Sequence, residues 1–224
     1  LDVLQHLRKK RNSQEDDMQG VLKAIVRVLT PLLMRVEVVG RENFPDQGPY
    51  IAVTNHLSVF DTAVLLIVSP HKVRALGAAK HKYNPIYGPI LAMAEVIWVQ
   101  RGEVDRQALR QALRVLQQGG VLGLAPEGTR ARGDYCLQRA KTGVAYLATR
   151  ADVPILPVGL SGTEKVKYNL TRLRRTDVRV AIGEPFRLPE SGRVRGRQLR
   201  EYTDMAMYRI AALLPEEYRG VYAE

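Results

Sequence analysis

The chain has 224 residues, 46% of them hydrophobic, enough for one domain with a full core, so disorder is excluded. Its 34 lysines and arginines against 23 acids give a net charge of +11, which calls for an anionic partner: nucleic acid, a phosphorylated metabolite or an acidic lipid surface. Aromatic residues make up only 6% and do not interleave with the basic ones, which speaks against a base-stacking platform, and the single cysteine, Cys136, excludes an internal disulfide.

Residues 1–17 are polar and lack the signal-peptide order of charge, apolar core and cleavage site. No apolar run reaches the ~18 residues of a membrane-spanning helix. From Met18 onward Val21, Leu22, Ile25, Val26, Leu29, Leu32, Leu33 and Val36 recur at helical spacing, with Lys23, Arg27 and Arg35 between them. Pro31 is expected to kink or divide this helix. Two readings stand side by side: a helix packed on its own domain, or one lying in a membrane interface with its cations toward lipid phosphates. A short strand at 36–39 closes at Gly40, and residues 41–49 form a loop.

Tyr50 to Asp61 reads Y-I-A-V-T-N-H-L-S-V-F-D. The apolar residues to Val53 predict a buried strand, and Ser58 with Asp61 three residues on predicts the start of a helix over 58–68. His56 and Asp61 thus share one strand-to-helix turn. A carboxylate on one imidazole nitrogen fixes the tautomer that leaves the other free to take a proton. No nucleophilic serine or cysteine accompanies the pair, so the substrate is expected to supply the attacking group. Cys136 carries no nucleophile signature, 159–162 lacks the full Gly-x-Ser-x-Gly elbow, and His6, His71 and His81 show no metal-ligand spacing.

Further strands are predicted at 73–79, 96–99, 121–124, 153–158 and 178–182, and helices at 103–118, 141–151 and 197–214. Residues 161–176 form a basic loop or short helix with Lys165, Lys167, Arg172, Arg174 and Arg175. The alternation gives a single α/β domain with helices on both faces of the sheet. Pro154 and Pro157 place the 153–158 strand at an edge or a bulge and make a mixed sheet the expectation.

Three segments at strand ends carry reactive or charged residues: 55–61, 80–101 and 126–130. Each is weak alone, since a histidine near an aspartate is more often a structural pair. Together, His56 and Asp61 supply a base, Pro126-Glu127-Gly128-Thr129-Arg130 a turn with amides, a hydroxyl and a guanidinium, and Lys80 and Arg101 more positive charge. That inventory suits a small anionic substrate bearing a hydroxyl, such as a glycerol phosphate.

Here the residues carry a resemblance. Asn55-His56-Leu57-Ser58-Val59-Phe60-Asp61 resembles the first motif of the glycerolipid acyltransferases, Asn-His, four residues, Asp. Lys80 with Pro85, Gly88 and Arg101 resembles the second motif, 126–130 the third and 153–158 the fourth, in matching order over roughly residues 36–190. Within that family the chain resembles the bacterial 1-acyl-glycerol-3-phosphate acyltransferases, departing from their pattern at Ala125 and Ala131.

The resemblance implies a mixed-sheet fold like that of glycerol-3-phosphate acyltransferase; the division expected is 1–39 as an N-terminal helical segment, either packed on the domain or lying at the membrane interface, and 40–224 as the acyltransferase domain. In agreement with the reading of the residues, it implies that His56, oriented by Asp61, deprotonates the hydroxyl of a lysophospholipid acceptor, which attacks the thioester of acyl-CoA or acyl carrier protein without an acyl-enzyme. Backbone amides would stabilise the oxyanion. Lys80, Arg101, Glu127, Gly128, Thr129 and Arg130 would bind the substrate, with Lys141 as a further candidate. Glu127 is expected to orient an arginine or a hydroxyl rather than touch phosphate. No cofactor and no metal are expected, the acyl carrier being a co-substrate. The partners would be that carrier, the lysolipid and an anionic membrane surface, without nucleic acid, at the cytoplasmic face of the cell membrane. Two alternatives stay open: transacylation between phospholipids, and a non-catalytic protein that holds anionic membranes or nucleic acid.

Overall fold

A computed structural model describes residues 24, 27–84, 91, 95–100, 105–131 and 133–223. Seven strands form one sheet: β1 (Met34–Val39), β2 (Tyr50–Thr54), β3 (Val73–Ala78), β4 (Ile97–Val99), β5 (Val121–Leu124), β6 (Ile155–Ser161) and β7 (Thr176–Ile182). Their order is β1-β7-β6-β2-β5-β3-β4. β6, β2, β5, β3 and β4 run parallel, β7 pairs antiparallel with β6, and β1 runs parallel to β7. The sheet is therefore mixed, as the prolines foretold.

The helices are α1 (Phe60–Val68), α2 (Arg106–Gln117), α3 (Gly143–Ala151), the short α4 (Val166–Leu170) and α5 (Gly196–Ala211). They cover both faces, which is why the central strands read as nearly unbroken apolar runs. On one face Ile51, Val53, Leu122 and Ile155 pack with Ala112 and Leu116 of α2, Leu147 of α3 and Met207 and Ile210 of α5. On the other, Tyr50, Leu156, Leu160 and Val180 pack with Val64 and Val68 of α1. Ile155 faces one side and Leu156 the other, the period of two that a strand imposes.

Helix termini follow local chemistry. The Asp105 carboxylate caps α2 by accepting the N–H groups of Gln107 (3.1 Å) and Ala108 (2.9 Å). α2 ends with Gly120 N–H on the Val115 carbonyl (2.9 Å) and Gly119 N–H on that of Leu116 (3.0 Å), Gly119 standing in the left-handed region at φ +81°. α3 ends with Asp152 at φ +51°.

Of the two readings of the proline-bearing strand, an edge or a bulge, the structure keeps the bulge: β6 lies between β7 and β2. Its ladder to β7 opens at Pro157, with Ile155 opposite Phe186 and Val158 opposite Ile182, so residues 183–185 bulge opposite 156–157 and no partner waits for the missing proline N–H. The strand expected at 36–39 begins two residues earlier, at Met34, because β1 pairs along its whole length with β7. Helical backbone runs unbroken over 27–33, through Pro31, which removes one ladder bond without dividing the segment.

Candidate functional site

Parallel strands bring their C-terminal ends to one edge of the sheet, the usual place for ligands in α/β folds. Here the ends of β2, β5 and β6 deliver residues 55–59, 125–131 and 162–165. Asn55, buried, turns the chain out of β2: its Nδ2 donates to the Leu160 carbonyl (2.8 Å) and its Oδ1 accepts the Leu160 N–H (2.8 Å), so the side chain continues the ladder to β6 after the backbone has left it.

His56 follows. Its Nδ1 lies 2.8 Å from Asp61 Oδ2, and the same oxygen accepts the N–H groups of Leu57 (2.8 Å) and Ser58 (2.9 Å). Ser58 Oγ accepts the Phe60 N–H (3.1 Å) and donates to Asp61 Oδ1 (3.3 Å), so the predicted serine–acid start of the helix is present within two residues. Asp61 is 2% exposed, and every group around it donates to it. It therefore accepts from Nδ1–H and leaves His56 Nε2 as the basic nitrogen. The His56 side chain is 25% exposed and lines a cavity of about 770 Å³.

Sequence reasoning missed one ligand of this carboxylate. Thr163, fully buried just beyond β6, donates its hydroxyl to Asp61 Oδ1 across 102 residues. Only the β2–β6 pairing brings it there, so nothing local could have signalled it.

The β5 turn is tied to the His56 turn. Ala131 N–H donates to the His56 carbonyl (2.8 Å). Glu127 is buried, with Oε1 accepting the His56 N–H (3.1 Å) and Oε2 that of Gln138 (3.0 Å). Burial pushes its carboxyl up to about 7, against the opposite pull of those two amides and of His56. Glu127 thus orients the backbone of the base rather than an arginine or a hydroxyl, and it does not line the cavity. Gly128 and Arg130 do, beside Lys141. Gly128 stands at φ +68°, and a β-carbon there would meet the Lys141 chain at 3.3 Å, so glycine lets the ammonium lie over the turn. Thr129 is half-buried but does not line the cavity. Lys80 is exposed and does not line it either, whereas its neighbour His81 does. Arg101 lies outside the described residues.

The rest of the cavity is mainly apolar, with Leu65, Leu66, Val73, Leu76 and Leu109 among its walls, and Asp105, Arg106 and Arg110 at the start of α2 also border it. Among the described residues no group of three or more metal-ligating side chains occurs. None of them offers His56 a hydroxyl or thiol hydrogen bond, and its Nε2 faces the cavity side of the ring rather than the Asp61 side. This layout suits a transferase that activates its acceptor directly.

Comparison with known proteins agrees. The sequence model of the acyltransferase family matches residues 35–161, more than half of the chain, and the chain belongs to that family. The mouse 1-acyl-sn-glycerol-3-phosphate acyltransferase alpha is 30% identical over 154 residues, covering 66% of this chain and 54% of the mouse protein. The Bacillus subtilis 1-acyl-sn-glycerol-3-phosphate acyltransferase is 22% identical over 162 residues, covering 72% of this chain and 78% of that protein. The chain thus spans about half the length of its mammalian relative. The crystal structure of the 1-acyl-sn-glycerophosphate acyltransferase PlsC from Thermotoga maritima shares the fold, with a TM-score of 0.67 at 22% identity, over 91% of this chain and 81% of that one.

Proposed function

We propose that the protein transfers a fatty acyl group from acyl-CoA or acyl carrier protein to the free hydroxyl of a lysophospholipid, with 1-acylglycerol 3-phosphate as the acceptor and phosphatidate as the product. One observation carries the reading: a histidine oriented by a buried aspartate opens on an apolar cavity with no protein nucleophile bonded to it. His56 Nε2 takes the acceptor's hydroxyl proton as the oxygen attacks the thioester carbonyl. The tetrahedral intermediate collapses, the C–S bond breaks, and the imidazolium returns the proton to the leaving thiolate. Asp61 stabilises the imidazolium throughout. Arg130 and Lys141 supply the cations for the acceptor phosphate, and the apolar walls suit acyl chains. The names of the relatives favour the lysophosphatidate acceptor, and the cytoplasmic face of the cell membrane is part of the same proposal.

The test is turnover against a panel of lysolipid acceptors with acyl-CoA and acyl carrier protein as donors. Lysophosphatidate should be the preferred acceptor, and His56→Ala should abolish transfer while the fold survives. Retained activity in that variant would sink the mechanism. Transfer that needs no thioester donor would replace it by transacylation between phospholipids.

A further inference from the structure

The basic stretch after β6 takes no part in the chemistry above, yet its structure is unusual. α4 ends with Arg174 N–H on the Asn169 carbonyl (3.0 Å) and Leu173 N–H on that of Leu170 (3.1 Å). α2 closes with the same pair of bonds. The residue in the left-handed position is Gly119 in α2 but Leu173 here, at φ +53°. Asp152, which ends α3 in the same region, is also of a type that tolerates it. A leucine does not, and this one is 95% exposed. The position thus combines backbone strain with a fully wetted apolar side chain, and neither benefits the isolated fold. Strain of this kind points to a function.

Its surroundings indicate which. Tyr168 (61% exposed) and Leu170 (44%) stand beside it. Lys165, Lys167, Arg172, Arg174 and Arg175 are all exposed, and no acid falls between 165 and 176. Arg172 stacks on the Tyr168 ring at 3.7 Å, and among the described residues only Lys165 of the five forms an ion pair. Topology adds more. β1 and β7 run against the other strands, so the N-terminus of β1 lies at the edge where β6 ends, with Met34 beside Thr176. The helical segment 27–33, with Val28, Leu29 and Leu32 exposed, therefore reaches the same edge. So does the turn after β3, with exposed Lys80, Lys82 and Tyr83. It is also the edge that holds His56.

We infer that this edge docks on an anionic lipid surface, with Leu173 at the tip of the 166–175 loop entering the acyl boundary and Lys167, Arg172, Arg174 and Arg175 meeting the headgroup phosphates. Exposed apolar side chains on two separate elements, Val28, Leu29 and Leu32 on one and Leu170 and Leu173 on the other, with cations around them, fit a bilayer interface, whereas a duplex would take in a single wedge. The root of the loop is Thr163, which holds Asp61, so the docking element and the catalytic carboxylate share one support. The inference extends the lysolipid reading, but its test does not pass through turnover.

The full chain is sedimented with vesicles of phosphatidylcholine alone and with phosphatidylglycerol added at about a third. Wild type should bind the anionic vesicles far better. Leu173→Asp should weaken that binding at least tenfold, and Arg174→Ser/Arg175→Ser about fivefold per cation at low salt. Aspartate suits the left-handed backbone, and both sites are exposed, so circular dichroism and turnover on a short-chain, water-soluble acceptor should stay at wild-type level. Wild-type binding by both variants would overturn the inference, as would a chain that binds duplex DNA but not vesicles. Loop-dependent vesicle binding without acyl transfer to lysolipid would uphold it and refute the acceptor assignment alone.

Discussion

Replacing Asp61 by asparagine isolates the worth of one charge. Both carboxylate oxygens accept only, so an amide must place its NH2 against some donor. On the Oδ2 side stand two backbone N–H groups and the imidazole, and the backbone pair cannot reverse. On the Oδ1 side stand the hydroxyls of Ser58 and Thr163, which rotate and accept. The amide therefore settles with its oxygen toward His56, the tautomer is kept, and only the charge is lost. Two unit charges about 4 Å apart at an effective dielectric of about 20 interact by about 4 kcal/mol, or about 10³ in rate. kcat, followed by thiol release at saturating acceptor, should thus fall about a thousandfold with KM nearly unchanged and the fold intact by thermal melting. A loss below tenfold would mean that the charge on Asp61 contributes nothing to the imidazolium. A loss as complete as that of His56→Ala would mean that the amide turns the other way and inverts the tautomer.

Thr163→Val keeps the volume and removes one bond to the carboxylate. It should cost about 1.5–3 kcal/mol of stability and lower kcat about tenfold at unchanged KM, and a loss of stability with full kcat would make Thr163 merely structural. Glu127 has a raised folded pKa of about 7 against 4.5 in the open chain, so between those values the folded state keeps a proton that the unfolded state has lost. Stability should fall by roughly 3 kcal/mol as pH rises through that window and stay level above it; a urea series on wild type and Glu127→Gln that slopes alike in both would refute this. Arg130→Ala should raise KM about tenfold for a phosphate-bearing acceptor and leave an uncharged acceptor untouched, and an equal change for both would remove Arg130 from phosphate binding.

Much of the fold was legible because its signals are local. β5 occupies 121–124 as its four-residue apolar run implies, and His56 and Asp61 meet because a strand-end turn five residues long leaves them little choice. What escaped depends on pairings between distant segments. Pro157 marks a bulge, as the sequence suggested, but whether a bulge sits at an edge depends on β7 and β2, which no local pattern contains. Glu127 was expected to orient an arginine or a hydroxyl, but its carboxylate lies buried against the N–H of His56, 71 residues away in sequence, a contact that no local pattern contains. Lys80, by contrast, is a solvated cation beside the cavity rather than part of its wall.

The reversed pair β7 and β1 also sets an order of events during synthesis. Met34 pairs with Thr176, so 142 residues must be added after Met34 before the first residue of its partner strand exists. At about 5–20 residues per second that is a wait of roughly 7–28 s. For that interval the edge of β1 has nothing to pair with and is open to chaperones. The base forms its bond to Asp61 early, but Thr163 arrives only with β6. The Asp61 carboxylate thus stays incompletely held until the last third of this sequence is made, and a ribosome-bound chain shorter than that lacks one of its hydrogen-bond donors.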